Sequence, residues 1–422
     1  MKTKAVRIYG KNDLRLEEFD LPPLGDDEIS AEVISDSICM SSHKAASLGA
    51  DHKRIPADIY KNPTIIGHEF SGRLLQVGAK WQSQFKKGDK FSIQPALNYK
   101  GSLDAPGYSY RFIGGDATRI IIPGEVMECG CLLPYTGAGY FPASLAEPMS
   151  CIVGAFRATY HTTPGSYNHK MGIKAGGNLA MLAAAGPMGL GAIDYALHTE
   201  RRPARLVVTD IDEHRLNRAH SIFSQKEAGD LGVELIFTNT GRVEDPVSHL
   251  LNFTKGRGYD DVFVFAPVSE LVECGDLILG RDGCLNFFSG PTDTGFSAPL
   301  NLYNVHYNST HLIGTSGGNN DDMKEALRLA SRGSINPSVM VTHIGGLDAV
   351  VRTTLNLPNI PGGKKLIYTQ LKLALTAISD FKEKGKEEPL FRELAAITEQ
   401  HRGLWCTEAE EYLLSTGKKI QE

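Results

Sequence analysis

The chain has 422 residues, 44 basic and 49 acidic, giving a formal charge of −5 with histidine neutral; 41% of residues are hydrophobic and 22% charged. This length predicts two or three domains with a core that needs no disulfide or metal staples, and the mild acidity excludes a nucleic-acid-binding surface over the whole protein. No apolar run approaches the roughly 20 residues that span a bilayer, and the start, Met1-Lys2-Thr3-Lys4-Ala5-Val6, lacks the apolar centre of a secretory signal, so a cytoplasmic protein with no membrane partner is expected.

In chain order, short alternating or apolar runs come first: Lys4 to Tyr9, Ile29 to Ile34, Ser71 to Val77, Lys90 to Gln94 and Arg119 to Ile122. Clusters of Gly, Pro, Asn and Asp separate them, which is the pattern of a β-rich domain with long loops. From about Met149 short apolar runs alternate with helix-length intervals: Leu179 to Ala185, Leu206 to Thr209, Glu234 to Phe237, Asp261 to Phe265, Cys284 to Phe288 and His311 to Gly314. That alternation predicts βαβ units around a parallel sheet. A helix is expected from about Asp321 to Arg332. After Thr369 the spacing reads as helical, over Leu371 to Lys384 and Glu408 to Leu414, and predicts a helical appendage.

The seven cysteines are odd in number and irregularly spaced, which excludes a disulfide framework. Cys129-Gly130-Cys131 is too tight for a paired zinc ligand and no second pair follows, so a structural zinc there is not expected.

Ala184-Ala185-Gly186-Pro187-Met188-Gly189 follows a buried-strand candidate and opens a helix from Leu190 to Leu197. Laid on G-x-G-x-x-G, Ala184 replaces the first glycine, while Gly186 and Gly189 keep the second and third. The second lets backbone amides approach a pyrophosphate and the third lets the helix pack on its strand. Pro187 and Met188 lie at the helix N-terminus, whose free N–H groups attract phosphate. The next strand ends in Asp210, where a carboxylate would hold the adenosine ribose hydroxyls and repel a 2′-phosphate. NAD is therefore favoured over NADP, although Arg215 nearby keeps NADP open. The bland alternatives are a tight strand-to-helix turn and, for Asp210, a helix cap.

Two stretches before residue 150 carry further chemistry: Ile38-Cys39-Met40-Ser41-Ser42-His43-Lys44 and Gly67-His68-Glu69-Phe70-Ser71-Gly72. Thiolate, imidazole and carboxylate form a zinc-type ligand set, and a catalytic zinc takes three protein ligands with one open position. Glu147, in Leu145-Ala146-Glu147-Pro148, adds a carboxylate where the β-rich part gives way to the nucleotide part.

Cys39, Gly67-His68-Glu69 with Gly72, Lys87-Gly88-Asp89-Lys90, Glu147-Pro148 and the glycine turn stand in an order that resembles the medium-chain zinc-dependent alcohol and polyol dehydrogenases. The resemblance runs from about residue 4 to Tyr368, and Glu147 points to the polyol branch. It implies an α/β protein. A Rossmann doubly wound parallel sheet would bind the coenzyme over 156–316, and a β-rich GroES-like catalytic domain would occupy 1–155, completed by 317–370. A C-terminal helical extension would span 371–422.

The resemblance also implies roles. One catalytic zinc would be held by Cys39, His68 and either Glu69 or Glu147, the other glutamate acting as general base or as a support behind the ligands. Ser41 stands at the first position of the family's proton relay. Lys44 stands where the family has its relay histidine, with His43 one position early, and Ser42 replaces a usual aspartate. The family's four-cysteine structural zinc lobe is missing, so no second zinc is expected, and Trp81 replaces a small aliphatic residue. A sugar phosphate or polyol is the expected substrate, with NAD(H) or NADP(H) as coenzyme and a homodimer or homotetramer as the assembly. Lys44, Lys53 and Arg54 are the first candidates for a substrate phosphate, ahead of Lys100 and Arg111. A zinc-free reductase of the same fold and a nucleotide-binding protein without catalysis are the alternatives.

Overall fold

The computed structural model describes residues 1–420 and divides into two compact units: Met1–Pro148 with Asn319–Glu422, and Met149–Gly318. The change of unit falls inside the helix Ala146–Ala158, seven residues before the expected break after 155. It falls at Gly318, two residues beyond the expected 316, on the return.

In the first unit the strand Ile29–Ile38 is the hub. It pairs antiparallel with Phe70–Val77, Arg119–Ile122 and Lys364–Tyr368, so both its edges are covered. Its apolar residues, Ile29, Ala31 and Val33, are wholly buried with Phe70, Leu74, Phe91 and Ile120. Register then places chemistry at one end of this sheet. Lys365 lies opposite Ile38, and Asp36 lies opposite Phe70. The residues that follow or precede these pairs, Cys39, Glu69 and Lys364, therefore gather where the central strand ends. Cys39 leaves the strand with extended backbone and caps the helix Met40–Leu48.

The expected appendage is part of this unit. Leu371 to Lys384 is not a helix: the chain makes a two-residue strand, Thr376–Ala377, then a 3₁₀ turn and the short helix Phe381–Lys384. Tertiary pairing overrides helical spacing here, because Thr376 and Ala377 add an antiparallel edge to Val341–Gly346. Helices Pro389–Gln400 and Thr407–Thr416 follow. Phe391, Leu394, Trp405 and Leu413 are buried. Trp405 Nε1 donates to Tyr368 Oη at 2.7 Å, and that hydroxyl donates to Glu410 at 2.9 Å. Glu410 also accepts the backbone N–H groups of Tyr140 and Phe141. Even against these donors, burial pushes its carboxyl up to about 7.

The second unit contains a six-stranded sheet of Asn178–Leu182, Arg205–Asp210, Glu234–Asn239, Tyr259–Val264, Leu279–Phe287 and His311–Gly314, besides a two-stranded hairpin, Tyr160–Thr163 with Ser166–Met171. Counted in chain order the six lie 3-2-1-4-5-6 in space with every neighbouring pair parallel. This is the doubly wound Rossmann order, whose strand reversal leaves a ligand crevice at the carboxyl ends of the first and fourth strands.

Candidate metal and coenzyme sites

One donor atom each from Cys39, His68 and Glu69 lie within 4.8 Å of one another, and among the described residues this is the one group of three or more such side chains. All three sit at the end of the hub strand. Glu69 is bound back to it by Ser37 N–H donating to Glu69 O at 3.1 Å. The expected ligands are thus brought together, while Glu147 lies outside this close group. Its charge is still felt by His68, by Tyr108 and by the Lys364 ammonium.

His68 is held on both sides. Ser42 Oγ lies 3.3 Å from Nδ1, and Tyr108 Oη lies 3.3 Å from Nε2. Ser42 thus reaches the imidazole from the position where the family carries an aspartate. Tyr108 comes from the Ile93-to-Asp116 segment, which has no cysteine and no periodic pattern that would have singled it out. The Cys39 thiol donates to Ser41 Oγ at 3.6 Å. His43 faces elsewhere, with Nδ1 2.9 Å from the Thr354 carbonyl, so its ring serves the packing of helix Val350–Asn356. Lys44 adds to the positive field on His52.

A buried cation completes the cluster. The Lys364 ammonium forms an ion pair with Glu69 Oε1, and both side chains are almost wholly buried. Burial pushes Glu69 up, but Lys364 and His68 outweigh it and hold the carboxyl below its ordinary range. Burial raises the Cys39 thiol against the pull of Lys364, and lowers His68. It also pushes Glu147 up to about 7, opposed by His68 and helped by Glu69. Behind Glu69, Asp36 and Asp116 form a second buried carboxyl group, with Asp116 pushed by burial to about 8.

These residues fit a zinc ion. Sulfur, imidazole and carboxylate are its ordinary donors. Glu69 Oε2 is buried with no hydrogen-bond partner, and a divalent cation would bind the thiol as thiolate, reversing the upward push on Cys39. Sequence reasoning missed Lys364 and Tyr108. The one available signal for Lys364 was its place in Lys-Lys-Leu-Ile-Tyr, a strand whose five residues are all buried.

In the second unit, a cavity of about 660 Å³ is lined by Gly186, Pro187, Met188, Gly189, Asp210 and Arg215, among others. The strand Asn178–Leu182 stops earlier than its apolar run because Ala183 turns into the left-handed region, at φ 55°. The left-handed turn falls one residue before the position of the motif's first glycine, and Ala184 N–H donates to Thr209 O. A Cβ on Gly189 would lie 1.9 Å from Ala184 O, so helix Pro187–His198 can approach its strand only with glycine there. A Cβ on Gly186 would meet nothing nearer than Arg215 at 3.9 Å, which leaves open space where a pyrophosphate would pass. Asp210 is buried at its strand end and accepts from the N–H groups of Ala185, Ile211 and Asp212. The carboxylate is therefore fixed in place, and its oxygens retain further lone pairs for a ligand.

The zinc-binding dehydrogenase family profile matches residues 187–332. The chain is 52% identical to mannitol-1-phosphate 5-dehydrogenase of Aliivibrio fischeri, over 98% of this chain and 97% of that one. It is 48% identical to L-sorbose 1-phosphate reductase of Klebsiella pneumoniae, over 99% and 98%. Among solved structures, 2R,3R-butanediol dehydrogenase from Bacillus subtilis superposes with a TM-score of 0.70 at 20% identity, covering 87% of this chain and 99% of that one, a likeness of fold. With the profile, the two full-length relatives and the fold in agreement, this chain belongs to the zinc-binding dehydrogenase family.

Proposed function

We propose that the protein is a zinc- and NAD(P)(H)-dependent oxidoreductase interconverting a polyol phosphate and its ketose phosphate, such as L-sorbose 1-phosphate and D-glucitol 6-phosphate. The observation that carries this is the Cys39, His68 and Glu69 donor group, set in a chain about half identical along its length to two sugar-phosphate enzymes. Cys39, His68 and Glu69 would hold the metal, with Glu147 beside them as general base. Bound there, zinc supplies Lewis acidity toward a carbonyl oxygen, and the nicotinamide supplies or takes the hydride.

The chain's own residues do the rest. Ser41, joined to Cys39 and within reach of the metal-ligand cluster, moves a proton to or from the substrate oxygen. Lys364 keeps Glu69 ionised and oriented. Ser42 at Nδ1 fixes the plane of His68 and leaves Nε2, beside Tyr108, to the metal. In the second unit Gly186 to Gly189 and the helix they open receive the pyrophosphate, Asp210 takes the ribose hydroxyls and favours NAD, and Arg215 stands near any 2′-phosphate. Lys44, at the relay-histidine position, completes the assigned catalytic set.

We place the catalytic domain at 1–155 with 317–370, the coenzyme domain at 156–316 and the extension at 371–422. A cytoplasmic homodimer or homotetramer without nucleic-acid or membrane partners belongs to the same proposal. No helix of the described residues is long and apolar enough to cross a membrane. His311–Gly314 is an edge strand, and Leu302, Tyr303, Tyr307 and Leu312 are exposed around it, a surface suited to a second copy.

The test is NADH oxidation by the zinc-loaded protein against matched ketoses and ketose phosphates, before and after chelation. Turnover of a ketose phosphate that chelation removes is the expected result. Turnover confined to unphosphorylated ketoses would shift the reading to a polyol dehydrogenase, and NADH binding with no turnover would overturn it.

A further inference from the structure

Close to the metal-ligating cluster, and within the same compact unit, lies a guanidinium group without an acid. The helix Met40–Leu48 ends in a 3₁₀ turn, Gly49–Asp51, and the chain continues through His52, Lys53 and Arg54. This segment is pinned rather than loose. Arg54 N–H donates to His52 Nδ1 at 3.3 Å, Ser109 Oγ donates to Arg54 O at 2.7 Å, and Ile55 is buried.

Tyr108 is the bridge to the chemistry. The Arg54 guanidinium carbon lies 5.4 Å from the centre of its ring, and the His52 ring stacks on it at 5.7 Å and 8°. The tyrosine also meets His68, with ring centres 4.8 Å apart and the hydroxyl 3.3 Å from Nε2. The guanidinium therefore stands within about 10 Å of a metal-ligating imidazole, the two ring separations laid end to end.

Among the described residues no carboxylate pairs with Arg54, and its Nε is buried without an acceptor. Arginine is always charged and presents a planar fork of donors that matches phosphate oxygens in pairs. A half-buried arginine without a partner is unfavourable unless a ligand supplies the anion. The surroundings add to the positive field: His52 is held below its ordinary range by burial first, and then by Arg54 and Lys53.

We propose that Arg54, with His52 and Tyr108 as its platform, is the phosphate subsite of the substrate pocket and sets the preference for phosphorylated over unphosphorylated substrates. This rests on the sugar-phosphate reading above. It narrows the cations named from sequence to one. Lys53 is exposed, whereas Arg54 is oriented by Tyr108 against a metal ligand.

The experiment compares zinc-loaded wild type, Arg54→Gln and Arg54→Lys, using NADH oxidation with a ketose phosphate and the matching ketose. Inhibition by inorganic phosphate is a second readout, and circular dichroism checks folding. Loss of a charge-assisted pair corresponds to a ten- to hundredfold effect. The expected result is a KM for the ketose phosphate raised by that factor in Arg54→Gln, with kcat changed little. The preference for phosphate collapses toward one, inhibition by inorganic phosphate is lost, and Arg54→Lys recovers part of both. Parallel losses with both substrates, or phosphate inhibition that persists in Arg54→Gln, would mean that Arg54 only packs Tyr108, and would overturn the proposal. If wild type itself uses both substrates equally, the sugar-phosphate reading fails. The inorganic-phosphate arm then decides the subsite alone: inhibition in wild type that Arg54→Gln abolishes supports it, and equal inhibition refutes it.

Discussion

Glu410 gives a sharp test of how the C-terminal segment is built into the first unit. Its carboxyl is buried against Tyr140 N–H, Phe141 N–H and Tyr368 O–H, and burial lifts its pKa to about 7. In the unfolded chain it returns to about 4.3. The folded state therefore binds this proton more tightly than the unfolded state. The stabilisation is fully present below about pH 4.3 and is lost as pH rises through about 7. At about 1.4 kcal/mol per unit, it falls by about 2.5 kcal/mol between pH 5 and pH 8. Glu410→Gln keeps the shape but does not titrate, so the stability of wild type relative to this variant should fall by that amount over the same range. Glu410→Ala, which leaves three donors without an acceptor, should lose about 3–6 kcal/mol at pH 5, and, because alanine does not titrate either, about 2.5 kcal/mol less than that at pH 8. Urea unfolding followed by tryptophan fluorescence reads this unit alone, since both tryptophans, Trp81 and Trp405, belong to it. Parallel pH profiles for wild type and Glu410→Gln would refute the reasoning.

Three further outcomes are expected. Glu69→Ala should lose zinc, while Glu147→Ala should keep it and lose roughly a hundredfold or more in kcat; equal metal loss, measured by elemental analysis, would refute the division of roles. Asp210→Gly should weaken NADH relative to NADPH in fluorescence titrations, and an unchanged preference would mean the ribose is held elsewhere. Lys364→Met strands the Glu69 carboxylate and should cost about 3–5 kcal/mol in the zinc-free protein. Zinc should restore part of that stability, and no zinc effect on the loss would show that the ion does not sit at Glu69.

The parallel sheet was legible because its central strands, Asn178–Leu182, Arg205–Asp210 and Tyr259–Val264, are buried on both faces and read as continuous apolar runs. The glycine turn was legible because Gly189 answers a steric demand that no other residue meets. Cys39, His68 and Glu69 could be picked out by type, since thiol, imidazole and carboxylate carry their chemistry on their face. Lys364 could not: it lies 295 residues from Glu69, and lysine reads as a surface residue until strand register places it. Tyr108 sits in an irregular loop where no period announces a direction. The tail misled for a third reason. Leu371 to Lys384 has helical spacing, but the pairing of Thr376 with Ile344 outweighs local propensity.

The hub strand Ile29–Ile38 has a consequence for biosynthesis. The Ser35–Ile38 end of one edge is covered by Lys364–Tyr368, which leaves the ribosome more than three hundred residues later. At about 5–20 residues per second, that end stays bare for tens of seconds, while the intervening unit has time to fold. A nascent chain halted before Lys364 therefore carries Cys39, His68 and Glu69 without the counter-ion that makes burying Glu69 tolerable. Burial of the candidate metal-binding group is thereby tied to the synthesis of Lys364.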